Sequence, residues 1–380
     1  MGTILQESGV IQSMAFERRI QSSDRQCGQV GYVRILYREK IPMSRLPPLI
    51  IGDIIIDPPI LQGAMGAYIS LHNLASAVSN EGALGVITSV GLGEYAESYQ
   101  DLSYEERSDR SLKDIIAETR RRTDRSCGVN IMGALTNHDN LVRVCVNEKV
   151  PVIVSGAGLP LKLPSLVSGS GCKMIPIVSS GRAAHLICRT WQNRFDIYPD
   201  AFIVEGPLAG GHLGYSYDDL QDIDSICLEN IFTDVKKAVC AHSERIPIVA
   251  GGGIFSGADI AKFLKLGASG VQMATRFIAT FECDASDALK KELINSKKED
   301  VVIIKSPVKM PGRVIRNEFV DKILTGERID FDCRYKCLKT CDAQSVNYCI
   351  AKALINAFHG NLRCGFVMAG ANCYRVKKIL

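Results

Sequence analysis

Residues 246–277 read IPIVAGGGIFSGADIAKFLKLGASGVQMATRF, and this stretch decides the fold. The run Ile246 to Ala250 is apolar on both faces, as a strand inside a helix-covered parallel sheet requires. Gly251-Gly252-Gly253 ends it, because successive glycines allow backbone angles closed to other residues. SGADIAKFLKLGA then carries a helical pattern, and GVQMATRF (270–277) begins a second buried strand. Strand, glycine loop, helix and strand in that order form a right-handed βαβ unit.

The same unit recurs upstream. PPILQG (58–63), LGVITS (84–89), CGVNIM (127–132), PVIVSGAG (151–158), KMIPIVSS (173–180) and AFIVEG (201–206) read as strands, and helix-like segments such as GRAAHLICRTWQNR separate them. With the two strands above the total is eight, the number that closes a TIM barrel. The fold class is therefore α/β: a TIM (β/α)8 barrel with a smaller C-terminal, partly helical, cysteine-rich appendage packed on it. A doubly wound open sheet is the alternative, but no G-x-G-x-x-G dinucleotide loop follows the first strand.

Three segments follow. Residues 1–45, with seven arginines and lysines and no sustained period, read as a flexible extension. Residues 46–300 form the barrel. Beyond 300 the alternation stops, leaving 301–380 as the appendage. The charge balance of 45 basic against 41 acidic residues shows no basic stripe, so nucleic acid is not an expected partner. No apolar run reaches the ~20 residues of a membrane span, and the N-terminus lacks a secretory pattern. A cytoplasmic protein with no membrane partner is expected, and its oligomeric state stays open, a homodimer included.

In a TIM barrel the loops after strands seven and eight are where backbone N–H groups converge on a phosphate. Gly252 and Gly253 follow strand seven, and Ala274 and Thr275 sit in the strand-eight segment, so a phosphorylated cofactor is expected there. The other marked loop is EGPLAGGHLG (205–214), where Gly210 and Gly211 precede His212 just beyond strand six, where α/β folds place ligands. Imidazole can exchange a proton near neutral pH. His72, His138, His185, His242 and His359 fall in helix-like, surface or helix-end positions.

Together PILQGAMG (59–66), GVNIM (128–132), VSGAGLP (154–160), EGPLAGGHLG (205–214), PIVAGGGI (247–254) and QMATRF (272–277) resemble the nitronate monooxygenase family of FMN-dependent TIM barrels. The resemblance implies FMN as cofactor. It places Gln62 and Gly63 beside the flavin ring, Asn130 at the ring's polar edge, and Gly156 on the same face. Gly252, Gly253, Ala274 and Thr275 would hold the phosphate, with Ala274 standing where the family usually has glycine. Gly211 would let the backbone pass close to the flavin. His212 would lie at the substrate site, bind the anionic nitronate and take the α-proton from a neutral nitroalkane. The implied reaction is oxidation of an alkyl nitronate by molecular oxygen to a carbonyl compound and nitrite.

The flavin-dependent enoyl-ACP reductases share the barrel and the Gly-Gly-His loop. An NAD(P)H-dependent reductase of enoyl thioesters is therefore the second reading, and a flavin-binding protein with little turnover the third. Cys333, Cys337, Cys341 and Cys349 give C-x3-C-x3-C-x7-C spacing. Metal or cluster ligation, redox thiols and plain packing all remain open for them, and no residue is assigned as a metal ligand. If helical, Cys333, Cys337 and Cys341 would share one face.

Overall fold

The structure, a computed structural model, describes residues 46–380 apart from 96, 222, 224, 225, 334 and 335. The expected extension over 1–45 lies outside the described residues. Eight strands follow in chain order: β1 (Ile60–Gln62), β2 (Gly85–Thr88), β3 (Cys127–Met132), β4 (Val152–Gly156), β5 (Lys173–Val178), β6 (Phe202–Glu205), β7 (Ile248–Gly251) and β8 (Gly270–Met273). They form one sheet in the order β1-β8-β7-β6-β5-β4-β3-β2. Its two ends meet at a parallel bridge between Leu61 and Leu84. There Gln62 N–H donates to the Leu84 carbonyl and Leu84 N–H to that of Ile60, each at 2.9 Å. The sheet is thus a closed parallel barrel.

A helix follows each strand: α1 (His72–Asn80), α2 (Tyr104–Arg122), α3 (His138–Asn147), α4 (Leu163–Val167), α5 (Gly181–Phe195), α6 (Leu228–Cys240), α7 (Gly257–Leu266) and the single turn α8 (Thr275–Ile278). The strand expected over 270–277 therefore stops at Met273, and its last residues turn into α8. Local chemistry fixes the ends. At α7, Ser256 Oγ accepts from Asp259 N–H while the Asp259 carboxylate accepts from Ser256 N–H, and Gly267 closes the helix at φ +97°. Alternate strand residues sort into two cores, as the two-residue period of a strand demands. Leu61, Val86, Val154, Ile175, Ile203 and Val249 pack inside the barrel. Ile60, Ile87, Val129, Ile153, Val204 and Ala250 pack outward with the helices.

A hairpin absent from the sequence reading, Leu49–Ile51 paired with Ile54–Ile56, adds Leu49, Ile51, Ile54 and Ile56 to the inner core. A Cβ on Gly270, at the start of β8, would come within 3.0 Å of Leu49. The hairpin therefore covers the N-terminal mouth and leaves the C-terminal mouth for a ligand.

After α8 come α9 (Asp287–Asn295), β9 (Val301–Lys305), β10 (Pro311–Ile315), α10 (Glu318–Leu324) and α11 (Ile350–Phe358). β9 pairs antiparallel with β10, and β10 pairs in turn with the short strand Gly211–His212. The chain between Cys333 and Cys341 contains no helix among its described residues. Its backbone bonds outward instead. Thr136 N–H donates to the Cys337 carbonyl, Lys339 N–H donates to Ala134, and Leu338 bridges Leu135. The common helical face expected for Cys333, Cys337 and Cys341 does not form, because pairing with the loop after β3 uses the groups a helix would need.

Candidate functional site

The C-terminal ends of the strands surround a cavity of about 260 Å³. Gly63, Asn130 and Gly156 line one part of it, Gly211 and His212 another, and Gly252, Gly253, Ala274 and Thr275 a third. Nine of the ten residues marked in the sequence thus meet in one chamber. Gln62 does not. It is fully buried behind the wall, where its Nε2 donates to the Gly63 carbonyl and to Ser70 Oγ, and its Oε1 accepts from Val86 N–H. Its placement beside a flavin ring is corrected accordingly: the amide is consumed in tying β1 to β2 and to the loop above them. The five other histidines lie outside the cavity lining.

Gly252 and Gly253 adopt φ +95° and +88°. That conformation turns their N–H groups away from the strand ladder, and among the described residues neither meets an acceptor. A Cβ on Gly252 would lie 2.8 Å from the Gly206 carbonyl oxygen, and one on Gly253 2.8 Å from the Leu208 Cβ. Thr275 Oγ1 accepts from Gly370 N–H at 2.9 Å, so its own hydrogen is free to donate. Unpaired donors along a tight backbone cradle suit a phosphate. Ala274 fits with one cost: its methyl points toward Gly63, where an added Cβ would stand 3.2 Å away.

The loop after β6 is held from three sides. Gly312 and Arg313 on β10 pair with His212 and Gly211. Arg313, itself buried, donates through Nη1 to the carbonyls of Pro207 and Ala209. His212 Nε2 lies 2.7 Å from Ser306 Oγ, next to the end of β9. Burial pushes the His212 pKa down to about 4, so the ring is neutral at physiological pH. Glu205, at the end of β6, also lines the cavity. Burial pushes its carboxyl up to about 7, against the opposing pull of the Gly214 N–H and Arg313.

Sequence reasoning passed over Glu205, Gln272, Asn372 and the segment Met368–Gly370, all of which line the cavity. Glu205 and Gln272 could have been found, since each is a polar residue inside a buried strand pattern. Asn372, whose Nδ2 donates to the Gly253 carbonyl at 2.7 Å, carried no local signal. No group of three metal-binding side chains is gathered among the described residues, the four C-terminal cysteines included.

The Arg313 arrangement predicts a stability effect. Arg313→Met leaves the Pro207 and Ala209 carbonyls without their donor, which costs about 2 kcal/mol or more. The Tm should fall by roughly 3 °C or more, and an unchanged melting curve would show that both carbonyls find other donors.

The protein is an enzyme built on a closed parallel TIM barrel, with unpaired glycine N–H groups after β7 in the same cavity as a buried imidazole and carboxyl. The chain belongs to the nitronate monooxygenase family, whose model matches residues 48–380, and it is a flavin-dependent oxidoreductase. Among curated proteins it is 28% identical over 275 residues to a Mycobacterium tuberculosis 5-hydroxy-7a-methyl-1-oxo-octahydro-1H-indene-4-carboxyl-CoA dehydrogenase, covering 72% of this chain and 67% of the relative. It is 26% identical over 304 residues to a probable nitronate monooxygenase of Staphylococcus aureus, covering 70% and 78%. Among solved structures, FabK from Thermotoga maritima superposes with a TM-score of 0.66 at 30% identity, covering 84% of this chain and 88% of that one. A nitroalkane oxidase from Streptomyces ansochromogenes shares the fold, with a TM-score of 0.63 at 21% identity over 84% and 91% of the two chains.

Proposed function

We propose that the protein uses FMN to oxidise alkyl nitronates, and nitroalkanes through them, with molecular oxygen, giving a carbonyl compound and nitrite. The observation that carries this reading is the meeting of His212 with the unpaired donors of Gly252 and Gly253 in one cavity. When bound, the flavin supplies the electron-accepting chemistry and the chain supplies position and charge.

The N–H groups of Gly252 and Gly253 and the Thr275 hydroxyl would hold the phosphate, and the amides of Asn130 and Gln272, which line the same cavity, would hydrogen-bond the flavin. His212, neutral and fixed by Ser306, hydrogen-bonds the nitro or nitronate oxygens. Val90, Met132, Leu135, Leu338 and Leu354 line the same cavity and exclude water from an alkyl chain. Every described cysteine is a free thiol, which suits a cytoplasmic protein. Anaerobic mixing tests the reading: a nitronate should reduce the bound flavin and NAD(P)H should not. The thioester reading draws support from the carboxyl-CoA substrate in the name of the mycobacterial relative. Rapid reduction by NAD(P)H with an enoyl thioester as acceptor would favour it.

One cradle predicts one phosphate group. The purified protein should be yellow, and its acid-released cofactor should run as FMN on chromatography. Release of FAD would require a second phosphate site and would overturn the assignment.

A further inference from the structure

Residues 367–372 form a strap that begins on β10, the strand that also pairs with Gly211 and His212. Ile315 N–H donates to the Val367 carbonyl at 2.9 Å, and Val314 bridges Met368. Past that point three consecutive residues each bond to a different loop of the cavity. Gly370 N–H donates to Thr275 Oγ1, at the start of α8, at 2.9 Å. Ala371 N–H donates to the Leu208 carbonyl, in the loop after β6, at 3.0 Å. Asn372 Nδ2 donates to the Gly253 carbonyl, in the loop after β7, at 2.7 Å. One short segment from outside the barrel thus ties the His212 loop to both sides of the phosphate cradle.

Gly210 is shaped to this strap. Its backbone lies outside the left-handed region, so its own φ does not demand glycine. A Cβ there would stand 2.4 Å from the Ala369 carbonyl carbon and 2.5 Å from the Gly370 nitrogen. Both are backbone atoms that no rotamer change can move aside. Gly370 is confined in turn, since its added Cβ would lie 3.1 Å from Thr275 Oγ1 and 3.2 Å from the Leu208 carbonyl oxygen.

The Asn372 bond also sets a direction. The Gly253–Ile254 peptide is trans and planar, so its N–H points opposite to its carbonyl. By holding that carbonyl, Asn372 aims the N–H of Ile254. This N–H meets no acceptor among the described residues, and Ile254 lines the cavity with Gly252 and Gly253.

We propose that the strap is a cofactor clamp, and that Asn372 is a positioning residue for the FMN phosphate, acting through the Gly253–Ile254 peptide. The assignment rests on the flavin reading above and extends it to a part of the chain outside the barrel. Residues 367–372 carry no charge. Their effect is to hold three N–H groups and the Thr275 hydroxyl in one geometry before the ligand arrives, which lowers the ordering cost of binding.

The test compares FMN with riboflavin, which has the same ring and no phosphate. Kd for each is measured by fluorescence quenching on full-length protein stripped of flavin, as wild type, Asn372→Ala and Gly210→Ala. In Asn372→Ala the FMN Kd should rise ~3- to 10-fold, as expected for one lost hydrogen bond, while riboflavin binds as before. In Gly210→Ala the whole strap must shift, and the FMN Kd should rise by roughly 10²-fold. A merely structural role would weaken both flavins together. An unchanged ratio of the two Kd values in Asn372→Ala would therefore overturn the proposal, as would an unchanged FMN Kd. Should Gly210→Ala fail to fold, Asn372→Ala decides alone. Neither measurement involves turnover, so a wild type that binds FMN but oxidises no nitronate would refute the nitronate reading and leave the Kd comparison to decide this one. A wild type that binds FMN no tighter than riboflavin would remove the phosphate cradle and the clamp with it, before any variant is made.

Discussion

Gly253→Asp is expected to release the flavin, weakening its binding by about 10²- to 10³-fold while the barrel stays folded. A carboxylate at ~4 Å from a phosphate in a partly buried site opposes it by about 4 kcal/mol, and screening lowers that toward the smaller factor. Strain contributes as well, because Gly253 sits at φ +88° and its Cβ would press on Leu208. Gly253→Asn separates the two effects, since asparagine tolerates left-handed backbone better than most residues and carries no charge. The asparagine variant should retain much more flavin than the aspartate variant, measured as flavin per protein after gel filtration and as Kd by fluorescence quenching. Equal retention by the two would mean that the phosphate binds elsewhere.

This prediction depends on a part of the structure that the sequence states openly. The eight barrel strands were legible because a strand buried on both faces must be apolar throughout, and each of these ends at a glycine or a polar turn. The hairpin at residues 49–56 was not legible. Ile50 and Ile55 point outward and are exposed, so LIIGDIII resembles one long apolar run, and only the turn at Gly52, φ +60°, divides it. The site divided along similar lines. Glycines that needed positive φ, such as Gly211, Gly252 and Gly253, announced themselves. Gln62 misled because its position beside the cavity says nothing of its side chain, which three buried partners hold elsewhere.

Long-range pairing was the other limit. His212 stood out from its glycines, but the strand that fixes it comes from residues 311–315, a hundred positions downstream. Nothing local to GGH encodes the partner Ser306 or the buried Arg313. The same holds for the C-terminal segment: Gly370 and Asn372 bond to Thr275 and Gly253 through contacts that no periodicity reveals. Glu205 is the opposite case, a charged residue ending the strand AFIVEG whose oddity was visible and whose environment was not.

His212→Asn tests what the imidazole does in the cavity. The loop should hold its shape, because backbone pairing with Gly312 and Arg313 does not involve the imidazole, and flavin should remain bound. A neutral ring that hydrogen-bonds the nitro oxygens assists a nitroalkane and a pre-ionised nitronate alike. A hydrogen bond to a charged group is worth ~1.5–3 kcal/mol, so kcat/KM should fall for both substrates together, by roughly 10- to 10²-fold. Ser306→Ala should act in the same direction and less strongly, since it frees the ring to turn but leaves it in place. Because His212 titrates at about 4, it should add no pH dependence of its own between pH 6 and 9. If His212→Asn instead lost ~10²- to 10⁴-fold with nitroethane and kept full activity with ethyl nitronate, the imidazole would be the base.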